Sequence, residues 1–308
     1  MKKLLAILLC LSLIFALAAC SKPESQTQQP AEQPAQTEDQ PTEPTQTEQP
    51  SEPEAPAYPI EQFTVGTTAV IEAATFGEYN FDMLASGVSE LPLVWQDAEG
   101  NYHPLLASYE TEDSVTWVYT IEPGMTWSDG EPVTAADILF TLQYDDANGS
   151  ANFVSQTDED GKTTEAKYTS YELSGDAMSI SLTLTSANVR ELSNMTSFRV
   201  MPKHIYEGKD SVTDDESRVT CGPYVLESFN KEAGTLTFVP NPYYPQEPNV
   251  GKIVYRLFGN EDTMYLALQQ GDLDMTWAYS AGVSGSYQDV LAATDTLTLE
   301  AVTAANAP

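Results

Sequence analysis

The chain is short of cysteine, histidine and positive charge, and each shortage closes off a class of function. Of its three cysteines, Cys10 lies in an apolar leader, Cys20 ends that leader, and Cys221 is left without a partner, so no disulfide framework can form. His103 and His204 are the only histidines and do not make a ligand-spaced pair. A Ser/His/Asp site would have to use one of them. There is no Gly-x-Ser-x-Gly elbow, no His-Glu-x-x-His and no Cys-x-x-Cys, and Gly282-Val283-Ser284-Gly285 lacks the elbow's spacing. A carboxylate pair stays open to so acidic a chain, but abundant Asp and Glu do not define a site. Lys and Arg number 13 against 46 Asp and Glu, for a formal charge of −33. That balance argues against nucleic acid and against an electrostatic hold on anionic lipid. It leans toward a neutral or cationic ligand, although solubility explains it equally well.

Long apolar runs are also missing. The one candidate, Leu4 to Leu17, is too short to span a bilayer comfortably. It follows Met1-Lys2-Lys3 and ends in Leu17-Ala18-Ala19-Cys20, the layout of a cleaved export signal, and Ser21 onward has no basic stop-transfer flank. Residues 1–19 are therefore expected to be removed. The Leu-Ala-Ala-Cys ending resembles the lipobox of bacterial lipoproteins, which implies a diacylglyceryl group on the Cys20 sulfur. The alternative is an ordinary secretory signal that happens to contain a cysteine. Two acyl chains, at about 0.8 kcal/mol per buried CH₂, give an anchor on the order of 20 kcal/mol. The mature chain is expected on the outer face of the cytoplasmic membrane, extracellular or periplasmic.

From Ser21 to about Pro59 the sequence is Pro, Gln, Thr and Glu with almost no large apolar residue. Such a segment buries too little surface to offset the entropy of ordering, so 20–59 reads as a lipid-anchored disordered linker. It would reach about 35 Å as a coil and about 120 Å as extended polyproline II.

Beyond it the pattern is α/β. Thr64–Ile71 and Ile253–Leu257 read as strands, and Trp117, Tyr119 and Ile121 alternate with Val115 on one face of another. Thr134 and Asp137 resemble a capping box before Ala135, Ile138, Leu139 and Leu142, with Asn148-Gly149 ending that helix. Met178, Ile180, Leu182 and Leu184 alternate as a half-buried strand. Pro223–Phe229 and Thr235–Val239 form a hairpin around Gly234, and Asn260 and Gly271 bracket a further helix.

Several segments in order then resemble the extracytoplasmic solute-binding proteins of family 5, the peptide and nickel class of ABC importers. The most specific runs from Trp117 through Trp127-Ser128-Asp129-Gly130 to Thr134 and Asp137. Cys221-Gly222-Pro223-Tyr224 with Asn241-Pro242-Tyr243-Tyr244, and Leu266 to Asp274, are the next. Met201-Pro202-Lys203-His204-Ile205 and Tyr102 to Ala107 match weaker signatures. Cys221 departs from the glycine usual at its place. The turn motif itself reads as structural, redirecting the chain and satisfying amides at the helix start.

The resemblance implies a two-lobed periplasmic-binding-protein fold of class II, with the second lobe incomplete. Residues 60–90 with 196–274 would form lobe I, 91–195 a family-specific subdomain packed on it, and 275–308 the start of a truncated lobe II. The chain thus looks like an amino-terminal fragment or a prematurely ended reading frame. The implied function is capture of a small solute, an oligopeptide or dipeptide, by hinge closure, and its delivery to an ABC permease and ATPase complex. No cofactor, metal or catalysis is implied. By family position, Phe76, Phe153 and Met195 are expected in the ligand crevice, with core packing as the competing role for each. A peptide-sensing surface receptor uncoupled from import is the alternative function, and a secreted hydrolase is a third.

Overall fold

The computed structural model describes residues 58–74, 79–209, 218–277 and 285–297. The leader, Cys20 and nearly all of the linker lie outside the described residues. Residues from Ala55 onward form one compact unit.

The chain enters on β1 (Phe63–Thr67), passes through α1 (Tyr79–Ala85) and makes a small hairpin of β2 (Val94–Gln96) and β3 (Tyr102–Pro104). β4 (Ala107–Glu110), β5 (Thr116–Ile121) and α2 (Ala135–Ala147) follow. A second small hairpin, β6 (Gln156–Thr157) and β7 (Thr163–Thr164), precedes β8 (Tyr168–Leu173) and β9 (Ser179–Leu184). Two short helices, α3 (Glu191–Met195) and α4 (Lys203–Tyr206), lead to β10 (Tyr224–Asn230), β11 (Thr235–Pro240) and β12 (Ile253–Leu257). α5 (Glu261–Gln270), β13 (Met275–Trp277) and α6 (Gly285–Ala292) complete the described part.

Two sheets organise these elements. The first is antiparallel, in the order β4-β5-β9-β8. Its alternating residues Trp117, Tyr119 and Ile121 of β5 and Ile180, Leu182 and Leu184 of β9 are buried, as their period of two demands. They share one core with Ala135, Ile138, Leu139 and Leu142, the inward stripe of α2. Ile138, Ile180 and Leu182 have no exposed surface, and each such side chain contributes about 1.5–3 kcal/mol by leaving water.

The second sheet is mixed, in the order β10-β11-β12-β1-β13. β10, β11 and β12 form an antiparallel meander, whereas β1 runs parallel to β12 on one side and to β13 on the other. Its core gathers Val65, Phe81, Leu84, Leu236, Phe238 and Tyr255. α5 lies over β1 and is bracketed as its sequence predicts: Asn260 Oδ1 accepts from the Thr263 amide at 3.0 Å, and Gly271 takes a left-handed φ of 79°.

Two sequence expectations change. The first strand ends at Thr67 rather than Ile71, because Thr67 faces Leu257 and Trp277, the last residues of both its neighbours. Met275–Trp277, expected to open the second lobe, instead forms the edge of the same sheet as β1. Among the described residues no helix is long and apolar enough to cross a membrane.

Candidate functional site

Three of the five segments singled out in the sequence meet at one junction. In Trp127-Ser128-Asp129-Gly130 the Trp127 amide donates to Glu131 O at 2.7 Å and the Gly130 amide to Trp127 O at 2.9 Å, which closes the turn. Gly130 has φ 94°, and a Cβ there would stand 3.2 Å from the Tyr243 ring. The turn is therefore moulded against the Asn241-Pro242-Tyr243-Tyr244 motif. Ser128 reaches the other way: its amide donates to Thr220 O at 2.8 Å, and its Oγ accepts from the Thr220 amide at 3.2 Å. Asp129 Oδ2 lies 2.7 Å from Nε2 of His204 on α4.

Asp137 ties the same region together from beneath. Its Oδ2 accepts from the amide and hydroxyl of Thr134 at 2.8 and 3.0 Å, which is the expected capping interaction. Its Oδ1 accepts from the Lys203 amide at 2.9 Å. Thr141, one turn on, donates to Asp137 O at 2.8 Å and accepts from the Met201 amide at 2.9 Å. Met201-Pro202-Lys203-His204 is thus bonded onto the helix of the hallmark motif, and the buried carboxylate is satisfied by ordered donors instead of water.

Cys221-Gly222-Pro223-Tyr224 fastens this assembly to the segment after α1. The Gly222 amide donates to Ser89 O at 2.8 Å and the Tyr224 amide to Val88 O at 3.0 Å. A Cβ on Gly222 would fall 2.6 Å from the Ser89 carbonyl, so only glycine permits the approach. Asn241 Nδ2 donates to Gly222 O at 2.9 Å and locks the second motif to the first. Cys221 is 2 % exposed, and burial pushes its thiol up to about 12. It is a neutral packing residue, not a nucleophile.

A small cleft of ≈ 20 Å³, partly open to solvent, lies beside this junction. Phe81 and Leu226 supply apolar wall, and Ser89, Glu90, Arg218 and Thr220 supply polar groups. Glu90 is answered by Arg199, whose Nε stands 3.4 Å from Oε2. Among the described residues, the Oγ of Ser89 and the Oγ1 of Thr220 are buried without a hydrogen-bond partner.

The residues expected in the crevice are placed differently. Phe76 lies outside the described residues. Phe153 packs edge-on to Tyr171 at 5.2 Å and tilted to Tyr168 at 5.6 Å, with its amide held by Asp146 Oδ2 at 2.8 Å. Met195 is 2 % exposed in the larger core. α3 turns it inward because Glu191, fully buried on the same helix, accepts from Tyr168 Oη at 2.6 Å, Lys167 Nζ at 2.8 Å and Asn194 Nδ2 at 3.0 Å. Neither Phe153 nor Met195 lines this cleft. Of the residues that do line it, Thr220 adjoins the Gly-Pro-Tyr motif and was within reach of sequence reasoning. Ser89 and Glu90 were not, since the Gly222 contact that brings them there is long-range.

Each histidine is tied to one carboxylate. His103 Nε2 lies 2.7 Å from Asp97 Oδ2, and its hydrogen bond holds the Asp97 carboxyl down at about 2. Among the described residues no group of three or more His, Cys, Asp and Glu side chains is placed to hold a metal.

Residues 101–298 match the family model described as bacterial extracellular solute-binding proteins, family 5 middle. Among curated proteins, the nickel-binding periplasmic protein of Escherichia coli (strain K12) is 24 % identical over 204 residues, 63 % of this chain and 37 % of that protein. The periplasmic oligopeptide-binding protein of an oligopeptide ABC transporter from Thermotoga maritima superposes with a TM-score of 0.60 at 20 % identity, covering 74 % of this chain and 44 % of that one. The oligopeptide-binding protein AppA of Bacillus subtilis, solved with a nonapeptide, gives 0.59 at 18 % identity, covering 77 % and 47 %. The fold is the mixed α/β architecture of two-lobed periplasmic binding proteins, and this chain spans between about a third and a half of these relatives.

Proposed function

This chain belongs to the bacterial extracellular solute-binding proteins of family 5, and from that membership we propose that it is the substrate-binding lipoprotein of an ABC importer. In this proposal it captures an oligopeptide or dipeptide and hands it to a membrane permease and its ATPase. Binding proteins of this family are not enzymes, and capture requires no bond to be made or broken. The observation that carries the proposal is the continuous match over residues 101–298, in which the hallmark turn, the Met-Pro-Lys-His segment and the Gly-Pro-Tyr motif interlock at one junction with a cleft beside it.

Cys20 is proposed as the lipid anchor, following removal of residues 1–19, with the linker up to residue 59 spacing the binding unit from the membrane. Residues 60–90 with 196–277 are proposed as lobe I, extended to take in β13, and 91–195 as the subdomain packed on it. The loop after β1 that contains Phe76 is proposed to contact the solute. A ligand that touches both lobes stabilises closure only by the difference in its affinity for the closed and open states.

Native mass spectrometry of the protein drawn gently from its own cell envelope tests these points together. The expected species starts at Cys20, carries two or three acyl chains and retains a short peptide. A species that keeps residues 1–19 would remove the anchor, and co-purification of a non-peptide solute would replace the proposed substrate.

A further inference from the structure

We propose that Asn148-Gly149, the turn that ends α2, is a self-modification site at which Asn148 loses its side-chain amide and becomes aspartate or isoaspartate. The inference goes beyond solute capture and does not depend on which solute is bound.

The chemistry needs two adjacent residues. Asn148 is the only asparagine of the chain followed by glycine. Without a Cβ, Gly149 lets its backbone nitrogen swing onto the neighbouring side chain with little crowding. That nitrogen, deprotonated by solvent hydroxide, bonds to Asn148 Cγ; the Cγ–Nδ2 bond breaks, and Nδ2 leaves as ammonia with a proton from water. Water then opens the cyclic imide. Attack at Cγ gives aspartate, and attack at the main-chain carbonyl gives isoaspartate, with the backbone rerouted through Cβ. One water enters and one ammonia leaves, so no oxidant or reductant is needed.

The fold leaves this turn accessible. Asn148 and Gly149 are exposed, and nothing lies within 4 Å of where a Gly149 Cβ would stand, so the ring has room to close. The reacting nitrogen is held by a long bond, from the Gly149 amide to Asp146 O at 3.3 Å, at the end of the helix, where opening is least costly. The surroundings then decide what the change does. Asn148 Nδ2 donates to Tyr144 O at 2.8 Å, and a carboxylate in its place cannot donate. It also puts negative charge at the negative end of α2, next to Asp145 and Asp146. The Asp146 carboxylate accepts from the amides of Asn152 and Phe153 at 2.5 and 2.8 Å, so the segment after α2 loosens as the site reacts.

The test is peptide mapping of the full chain during incubation at pH 8, folded and in urea, with isoaspartate counted by enzymatic methylation. The Asn148 peptide is expected to gain the mass of NH₂ replaced by OH and to yield both aspartate and isoaspartate, at a folded-state rate within about tenfold of that in urea. Protection by about a hundredfold or more would show that the helix end stays closed over the reacting nitrogen, and would overturn the proposal. Aspartate without isoaspartate would exclude the imide and overturn it as well. Asn148→Gln should abolish the isoaspartate signal of the folded chain, and a signal that persists in this variant would place the reaction elsewhere. Asn148→Asp reads the consequence directly: hydrogen exchange at Asn152 and Phe153 should run roughly twofold to fivefold faster than in the parent chain. Equal exchange in the two would overturn the loosening.

Discussion

Asp137 and Lys203, 66 positions apart in sequence, are joined by a hydrogen bond of 2.9 Å from the Lys203 amide to the Asp137 carboxylate. The same carboxylate holds Thr134, so one buried side chain starts α2 and fixes the segment before α4. Asp137→Ala would leave three donors around an apolar gap. Loss of about 2–4 kcal/mol is expected, measured by urea unfolding. Asp137→Asn keeps only one of the two acceptor oxygens and turns an NH₂ toward a donor, so most of that loss should remain. Unchanged stability in either variant would mean that the bonds to Thr134 and Lys203 do not hold this junction.

Gly222→Ala places a methyl group 2.6 Å from the Ser89 carbonyl. The segment after α1 must move away, which should cost about 1–3 kcal/mol and expose the neighbouring amides. Hydrogen exchange is expected to speed up at Gly222 and Tyr224 first. Unchanged exchange there would show that the two segments do not depend on that approach.

Asp145, near the end of α2, has its carboxyl raised to about 6 by burial, with the neighbouring Asp146 charge adding to the effect. A raised carboxyl pKa means that the folded chain holds its proton more tightly than the unfolded chain. This contribution is therefore favourable below about pH 4 and is lost as the pH climbs to 6. After allowance for partial exposure, Asp145→Asn should stabilise the protein by about 1 kcal/mol at pH 7 and by nothing measurable at pH 4. Thermal unfolding at the two pH values reads the difference, and a pH-independent gain would point to helix propensity instead.

Cys221, buried with its thiol pushed up to about 12, should resist alkylation by iodoacetamide at pH 8 in the folded chain and react only at the rate of unfolding. Rapid labelling of the native protein would show that the Gly-Pro-Tyr junction opens readily. Cys221→Val should be tolerated better than Cys221→Ser, which buries a hydroxyl in an apolar core.

Most of the larger core was legible because it is written in periodicity. Trp117, Tyr119 and Ile121 alternate, as do Ile180, Leu182 and Leu184, and the stripe of α2 recurs at helical spacing; all are buried. β8 was not legible, since four of its six residues are exposed and present no apolar alternation. The end of β1 and the placement of β13 were hidden for a different reason: both depend on which strands lie alongside, and pairing across some 190 residues leaves no local mark. The cleft was the least visible feature. Its hydroxyls belong to common residues that are buried together only by long-range contacts, and Phe153 and Met195 lie in or against the larger core.

The central position of β1 has a consequence for how the chain is made. Phe63–Thr67 is synthesised early, yet both of its neighbours, β12 and β13, begin only at Ile253 and Met275. Neither side of the strand can be zipped until nearly all of the described chain has been synthesised, and contacts so distant in sequence form slowly.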